Sequence, residues 1–263
     1  MKMNNYTLIT GASSGIGYEF AKIFAREHYN LILSARSEDK LLQLKKEILE
    51  KYNVDIIIIP KDLSNPNEAD ELYLEIKKKN LSVDILINNA GFGTYGKFTQ
   101  ANLTKEIEMI NLNIVSLVKL TYLFLQEMKL IGKGNIINVA STAAFQPGPL
   151  MSVYYATKSF VLSFSEAIAN ELKGSGIKVT ALCPGPTESG FQAAAKITQS
   201  KLVKGRKLPS SKEVAEYGFD VMRSGKVVAV HGVINRIMTK LVKFLPRKLT
   251  VSIVRFIQEE RNK

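Results

Sequence analysis

Short runs of β-branched residues alternate along this chain with longer stretches whose apolar positions recur at helical spacing. Tyr6–Thr10 predicts a strand and Ile16–Glu27 a helix, followed by a strand at Leu31–Ser34 and a helix at Glu38–Lys51 capped by Ser37. Val54–Ile59 is a nearly continuous apolar run, as expected of a strand covered on both faces. A helix at Asn67–Lys79, capped by Ser64 or Asn65, leads to a strand at Ile85–Asn88. Helix Thr104–Lys129 precedes strand Asn135–Val139, and helix Ser152–Leu172 precedes strand Lys178–Leu182. Ser211–Arg223 reads as a helix and Val227–Val230 as a seventh strand. Strict β-α alternation predicts an α/β fold, a doubly wound parallel sheet with right-handed crossovers. No repeat, low-complexity tract or linker interrupts it, so a single domain is expected, with its core in residues 5–232 and a tail in 233–263.

With 263 residues the chain can bury one large α/β core. No apolar run approaches the roughly 18–20 residues that span a bilayer. Met1–Asn5 leads straight into Tyr6–Ile9 without the pattern of a signal peptide. A lone cysteine, Cys183, excludes an internal disulfide, and with only His28 and His231 beside it no metal site is expected. These features together predict a reducing, cytoplasmic setting.

The formal charge of +12 is concentrated in the C-terminal quarter. Residues 196–263 carry sixteen Lys and Arg against five Asp and Glu, whereas residues 1–195 carry twenty against nineteen. Within that basic tail, Asn235–Ile257 forms two short amphipathic stretches broken by Pro246. The first expectation is that they pack their apolar side on the domain or on a second subunit, leaving a solvated basic face. Peripheral contact with an anionic membrane is the second use such a pattern suits. Nucleic acid is not expected as a partner, because no binding motif accompanies the charge.

Strand one runs into Thr10-Gly11-Ala12-Ser13-Ser14-Gly15-Ile16-Gly17 and then directly into a helix. Glycines allow a tight turn and close backbone approach, and the helix N-terminus offers free N–H groups to a pyrophosphate. The spacing G-x-x-x-G-x-G is a weak signal standing alone, since a ligand-free turn gives the same string. At the end of strand two, Leu33-Ser34-Ala35-Arg36-Ser37 has no carboxylate to hold a ribose 2′-hydroxyl. Arg36 is suited instead to a 2′-phosphate, although Glu38 and Asp39 are near enough in sequence to pair with it. NADP(H) is therefore the expected cofactor and NAD(H) the second.

Tyr154 and Lys158 are four positions apart and share one helical face. A nearby ammonium favours the phenolate, so the expectation is a tyrosine pKa lowered toward the working pH. Such a pair also arises as ordinary packing and surface charge, and its position after the fifth strand is what gives it weight.

With these motifs in this order, residues 5–232 resemble the short-chain dehydrogenase/reductase family and its Rossmann-type sheet of about seven strands. Thr10 to Gly17 matches the T-G-x-x-x-G-x-G turn, with Gly11, Ser13, Ser14, Gly15, Ile16 and Gly17 as implied cofactor contacts. Asp62 with Leu63 matches the acid placed near the adenine, and Asn88-Asn89-Ala90-Gly91 the N-N-A-G turn. Asn111 is taken as the helix asparagine of a proton relay, Ser141 as the catalytic serine thirteen positions before Tyr154, and Tyr154 and Lys158 as Y-x-x-x-K. Pro184 and Gly185, with Thr187 and Ser189, match the loop over the nicotinamide. The resemblance implies hydride transfer between a nicotinamide and a carbonyl or alcohol carbon of a small molecule, in a homodimer or homotetramer. Ser141 would bond the substrate oxygen, Tyr154 would exchange its proton, and Lys158 would hold the ribose. Basic residues are common in NADP-preferring relatives where Ser14 stands here, so the cofactor expectation rests on Arg36.

Phe191–Leu208, Phe92–Phe98 and Ala143–Val153 are expected to form the substrate pocket, with Phe92, Tyr95, Phe98, Phe145, Met151 and Phe191 giving it an apolar lining. The main subunit interface is expected on the helices Thr104–Lys129 and Ser152–Leu172, through Leu117, Leu120, Leu123 and Phe124 with Phe160, Phe164 and Ile168.

Overall fold

A computed structural model describes residues 5–195, 197, 200, 201, 205 and 207–259. Seven parallel strands form one sheet: β1 (Asn5–Thr10), β2 (Asn30–Ser34), β3 (Ile56–Ile58), β4 (Ser82–Asn88), β5 (Gly134–Val139), β6 (Ile177–Cys183) and β7 (Val228–Val230). Their order is β3-β2-β1-β4-β5-β6-β7, so the chain reverses direction across the sheet between β1 and β4. In such sheets the ligand crevice opens beyond the strand ends at this reversal.

Alternate residues along each strand sort into two cores. On one face, Leu31 and Leu33 of β2 and Ile85 and Ile87 of β4 meet the helices α1 (Gly15–Arg26), α2 (Glu38–Leu49) and α8 (Ser211–Ser224). On the other, Leu8, Ile32 and Leu86 meet α3 (Glu68–Lys78) and α5 (Leu117–Ile131). The one-residue alternation of a strand produces this division, and each helix buries one stripe. Phe20 and Phe24 of α1 and Phe219 of α8 form the aromatic centre of the first face, with Phe24 and Phe219 edge to face at 5.0 Å.

Local chemistry shifts several boundaries. The α2 cap falls on Ser37 as expected, but its side chain makes no capping bond. The α3 cap is Asn67 rather than Ser64 or Asn65, because Asp62 Oδ1 accepts from both the N–H and the hydroxyl of Ser64 and ties that residue into a turn. Ser210 and Glu213 form a reciprocal capping box that starts α8.

The helix expected at Thr104–Lys129 is α4 (Leu103–Ile110), a π-helical stretch Asn111–Ser116, and α5, running without a break. By length and composition, Leu103–Ile131 could cross a membrane, although no uninterrupted apolar run in it is that long. Leu120, Phe124 and Met128 are buried on the sheet instead. Leu117, expected at a subunit interface, is likewise core, as are Leu120 and Phe124. Among the described residues, the large apolar side chains that these helices do expose are Leu103, Ile107, Tyr122, Leu130 and Ile131, with Phe160 on α6 (Ser152–Glu171).

A short α7 (Phe191–Ala194) follows β6, and the tail forms α9 (Val233–Leu241) and α10 (Arg247–Gln258), separated near Pro246 as expected. Of the expected arrangements, α9 does not take the one in which the tail packs its apolar side on the domain. α9 turns Thr239 inward and Ile234, Ile237, Met238 and Leu241 outward. Asn235 occupies the inward face because its Nδ2 donates to the His231 carbonyl, and a side chain on Gly185 would lie 2.5 Å from it.

Candidate active site

Two turns at the strand ends meet and lock. Thr10 Oγ1 accepts from the N–H of Asn89 and of Ala90, both at 3.0 Å, while Asn89 Nδ2 donates to the carbonyls of Thr10 and Gly11 at 2.9 and 3.2 Å. Gly11 has φ +66°, and a Cβ there would lie 2.8 Å from Ala90 Cα, so this position excludes a side chain on two counts. Gly17 is excluded for another reason. Its Cβ would meet Asn89 Nδ2 and the Gly11 carbonyl at 2.4 Å, placing it behind the turn and not on the crevice wall.

The remaining predicted cofactor contacts converge. Gly11, Ser13, Ser14, Gly15 and Ile16 line one cavity of about 660 Å³, together with Arg36, Asp62 and Leu63. Asn89, Ala90, Gly91, Pro184, Gly185, Thr187 and Ser189 line it further along, as do Ser141, Tyr154 and Lys158. Ser14 begins α1 without bonding its first-turn N–H groups, and that turn holds no acidic residue. Those donors are open to a phosphate. At the far end Arg36 is exposed and forms no ion pair with Glu38 or Asp39 among the described residues. Lys40, not singled out from the sequence, lines the same end one helical turn beyond Arg36.

The chemistry-bearing side chains come from two places, the end of β5 and the first turns of α6. Ser141 follows β5, where its Oγ accepts from the Ala143 N–H at 3.1 Å and bonds the Tyr154 hydroxyl. Tyr154 and Lys158 lie one turn apart on α6. Tyr155 is buried against Met151 and Val254 and bonds Gln258 of α10, whereas Tyr154 is the tyrosine one turn from Lys158. Gly93 gives the tyrosine room, since a side chain there would stand 3.0 Å from its ring.

Burial sets the protonation states. Desolvation pushes the Tyr154 phenol up to about 12, against a smaller opposing effect of the Ser141 bond. The same burial lowers the Lys158 ammonium to about 8. The expected lowering of the tyrosine by the lysine is therefore reversed: the ammonium stands 5.9 Å from the ring centre, and burial outweighs it. Lys158 donates to the Val139 carbonyl at 2.8 Å, one bond for a group with three N–H donors. Its spare donors and the open N-terminus of α1 fit the ribose hydroxyls and phosphates of a dinucleotide.

Asn111 is not part of this group. Its side chain makes no hydrogen bond among the described residues and it does not line the cavity. Asn113, two positions later and inside the π-helical stretch, is fully buried there. Its Oδ1 accepts from the Phe92 N–H at 3.2 Å, and its Nδ2 donates to the Phe92 carbonyl and to Thr157 Oγ1, both at 3.0 Å. A side chain on Gly91 would lie 2.9 Å from Asn113 Oδ1 and 3.5 Å from Lys158 Nζ, so Asn113 is the asparagine beside the lysine. Residues two apart on a helix point to nearly opposite sides, and one sequence letter could not decide between them.

Beneath the site runs a polar ladder. Asn88 Nδ2 donates to Asn138 Oδ1 at 2.9 Å, and Asn138 Nδ2 to Ser165 Oγ at 3.0 Å, joining β4, β5 and α6 below the reacting groups. The substrate end of the cavity is lined by Phe92, Met151, Tyr155, Phe191 and Ile197. Three expected lining residues are elsewhere: the Tyr95 hydroxyl donates to the Gln258 carbonyl at 2.8 Å, Phe98 is 61 % exposed, and Phe145 lines a second cavity against the tail. Part of the expected pocket segment Phe191–Leu208 lies outside the described residues.

Comparison with known proteins agrees with this geometry. A family model described as short chain dehydrogenase matches residues 5–200. The very-long-chain 3-oxoacyl-CoA reductase of Rattus norvegicus is 32% identical over 259 residues, covering 92% of this chain and 78% of its own. A ketoacyl reductase of Nostoc is 29% identical, covering 89% of this chain and 82% of its own. Among solved structures, a short-chain dehydrogenase from Sphingobium yanoikuyae in complex with NADPH superposes with a TM-score of 0.80 at 27% identity, covering 92% of this chain and 97% of that one. The chain belongs to the short-chain dehydrogenase/reductase family, oxidoreductases that interconvert carbonyl and alcohol groups.

Proposed function

We propose that this protein is an NADPH-dependent reductase of lipophilic ketones, with 3-oxoacyl thioesters as the leading substrate class, working in the cytoplasm. The observation that carries the reading is one cavity with Ser141, Tyr154 and Lys158 at its apolar end and, at the other, the cations Arg36 and Lys40, which form no ion pair among the described residues. A bound nicotinamide dinucleotide supplies the hydride. Tyr154, a phenol that carries its proton at neutral pH, donates that proton to the carbonyl oxygen. The Ser141 hydroxyl bonds the same oxygen and orients it. Lys158, still mostly protonated at pH 7, stabilises the phenolate that remains. Asn113 fixes the Phe92 backbone and Thr157 around that lysine.

The cations at the far end favour the 2′-phosphate of NADPH over a bare hydroxyl. Phe92, Met151, Phe191 and Ile197 supply an apolar wall for an acyl chain, and the rat and Nostoc relatives are named for oxoacyl and ketoacyl reduction. We infer a homodimer at least, through exposed Ile107, Tyr122 and Phe160. The test of the reaction uses NADPH deuterated at the transferring position with 3-oxoacyl thioesters of increasing chain length. Alcohol product one mass unit heavier, with kcat/KM rising with chain length, supports the reading. Absence of deuterium from any product removes it.

A further inference from the structure

The two tail helices are built inside out. Along α9, Thr239 is 6% exposed while Ile234 is 77% exposed, and Ile237, Met238 and Leu241 continue the outward stripe at spacings of three and four. Phe244, 86% exposed, bridges to α10, where Leu249, Ile253 and Phe256 point outward at the same spacing. An apolar stripe on a basic helix ordinarily seeks the core. Here the inward side is taken by Asn235, Thr239, Thr250, Val254 and Gln258, all but Val254 polar.

Charge identifies what the stripe meets. Residues 233–258 hold no Asp or Glu. Arg236, Lys240, Lys243, Arg247 and Lys248 are all exposed and form no ion pair among the described residues. A second copy docking on this face about a two-fold axis would bring these cations against one another. Nucleic acid would satisfy the cations and leave the aliphatic stripe in water. A surface that is anionic on top and hydrocarbon below satisfies both.

We propose that α9 and α10 seat the protein on an anionic lipid bilayer, apolar stripe in the acyl boundary and basic residues among the headgroups. A second cavity of about 670 Å³ opens on this segment, lined by Phe145, Val242 and Leu245 with Lys243 and Arg247. It shares Gln146 and Tyr155 with the main cavity, so the seated face lies beside the apolar end of the site. Docking itself does not depend on the reductase reading.

The experiment is co-sedimentation of the full chain with phosphatidylglycerol/phosphatidylcholine vesicles and with phosphatidylcholine alone, at low and high salt. Three forms are compared: the parent, Ile237→Asn/Phe244→Ser, and Lys240→Glu/Lys243→Glu. Both variants change exposed residues outside the active site, and thermal unfolding verifies that they fold. The expected result is sedimentation with the anionic vesicles, weakened by salt and reduced at least tenfold in each variant, with NADPH binding unchanged. A parent that stays in the supernatant overturns the proposal. So does loss of a dimer on light scattering in Ile237→Asn/Phe244→Ser with vesicle binding intact, which would assign the face to a second copy.

Discussion

Lys158 Nζ stands 5.9 Å from the centre of the Tyr154 ring and spends a hydrogen bond of 2.8 Å on the Val139 carbonyl. The two groups are neighbours without being partners. Burial therefore governs each of them, holding the phenol protonated and making the ammonium easier to discharge. A donor poised in this way suits reduction, because the proton is in place before charge develops on the substrate oxygen.

This arrangement predicts a pH dependence of stability. Lys158 titrates near 8 in the folded cofactor-free protein and near 10.5 when unfolded, so between those values the unfolded chain binds a proton the native one lacks. Stability contributed by this group rises with pH there, by at most about 1.4 kcal/mol per unit. Buried Cys183, raised from 9.0 to about 12, acts in the opposite sense above pH 9 but is present in both parent and variant. Urea unfolding of parent and Lys158→Met between pH 7 and 10 should show the parent gaining on the variant as pH rises. A constant difference would mean the lysine keeps its proton when buried.

Cofactor preference should reside in two cations. Arg36→Ala is expected to reduce the NADPH/NADH affinity ratio by about tenfold or more, the loss of one charge-assisted contact of about 1.5–3 kcal/mol. Adding Lys40→Ala should erase most of the remainder. Fluorescence titration with both cofactors measures it, and an unchanged ratio in the double variant would place the selectivity elsewhere.

The two asparagines should separate cleanly. Asn113→Ala removes three buried bonds that hold Phe92 and Thr157, and should cost about 1–3 kcal/mol in unfolding as well as turnover. Asn111→Ala, with no side-chain bond to lose among the described residues, should stay within about 0.5 kcal/mol of the parent. Equal losses in both would contradict the placement.

Association through α4, α5 and α6 predicts a mass of at least twice 29.2 kDa by light scattering at micromolar concentration. Tyr122→Glu/Phe160→Glu should shift it toward the monomer. A monomeric parent would remove the interface and leave the chemistry untouched.

The succession of strands and helices, the glycine turn and the Tyr154–Lys158 pair were legible in the sequence because each is written in period or spacing, while Ser141 came with the family resemblance. The misplacements share a cause: they depend on where a regular pattern breaks. The π-helical stretch at Asn111–Ser116 turns Asn113 inward, and nothing in Asn-Leu-Asn announces that widening. Leu117, Leu120 and Phe124 looked surplus because a sequence shows how much apolar surface a helix has but not how much the sheet will cover. The outward stripe of α9 was visible as a pattern, whereas its direction goes with polar contacts of Asn235 on the opposite face of the same helix. Lys40 passed unnoticed as one lysine among many until the strand end brought it beside Arg36.

The central claim is that Tyr154 delivers the proton in carbonyl reduction, and the most direct measurement is the rate of NADPH oxidation by Tyr154→Phe with a 3-oxoacyl thioester the parent reduces. The substitution removes one hydroxyl and little volume, so NADPH affinity should remain near the parental value. Turnover should fall by more than the roughly 10²–10⁴-fold of general acid catalysis, because stabilisation of the substrate oxygen is lost with the proton. Near-parental turnover in a variant that binds NADPH normally would contradict the account.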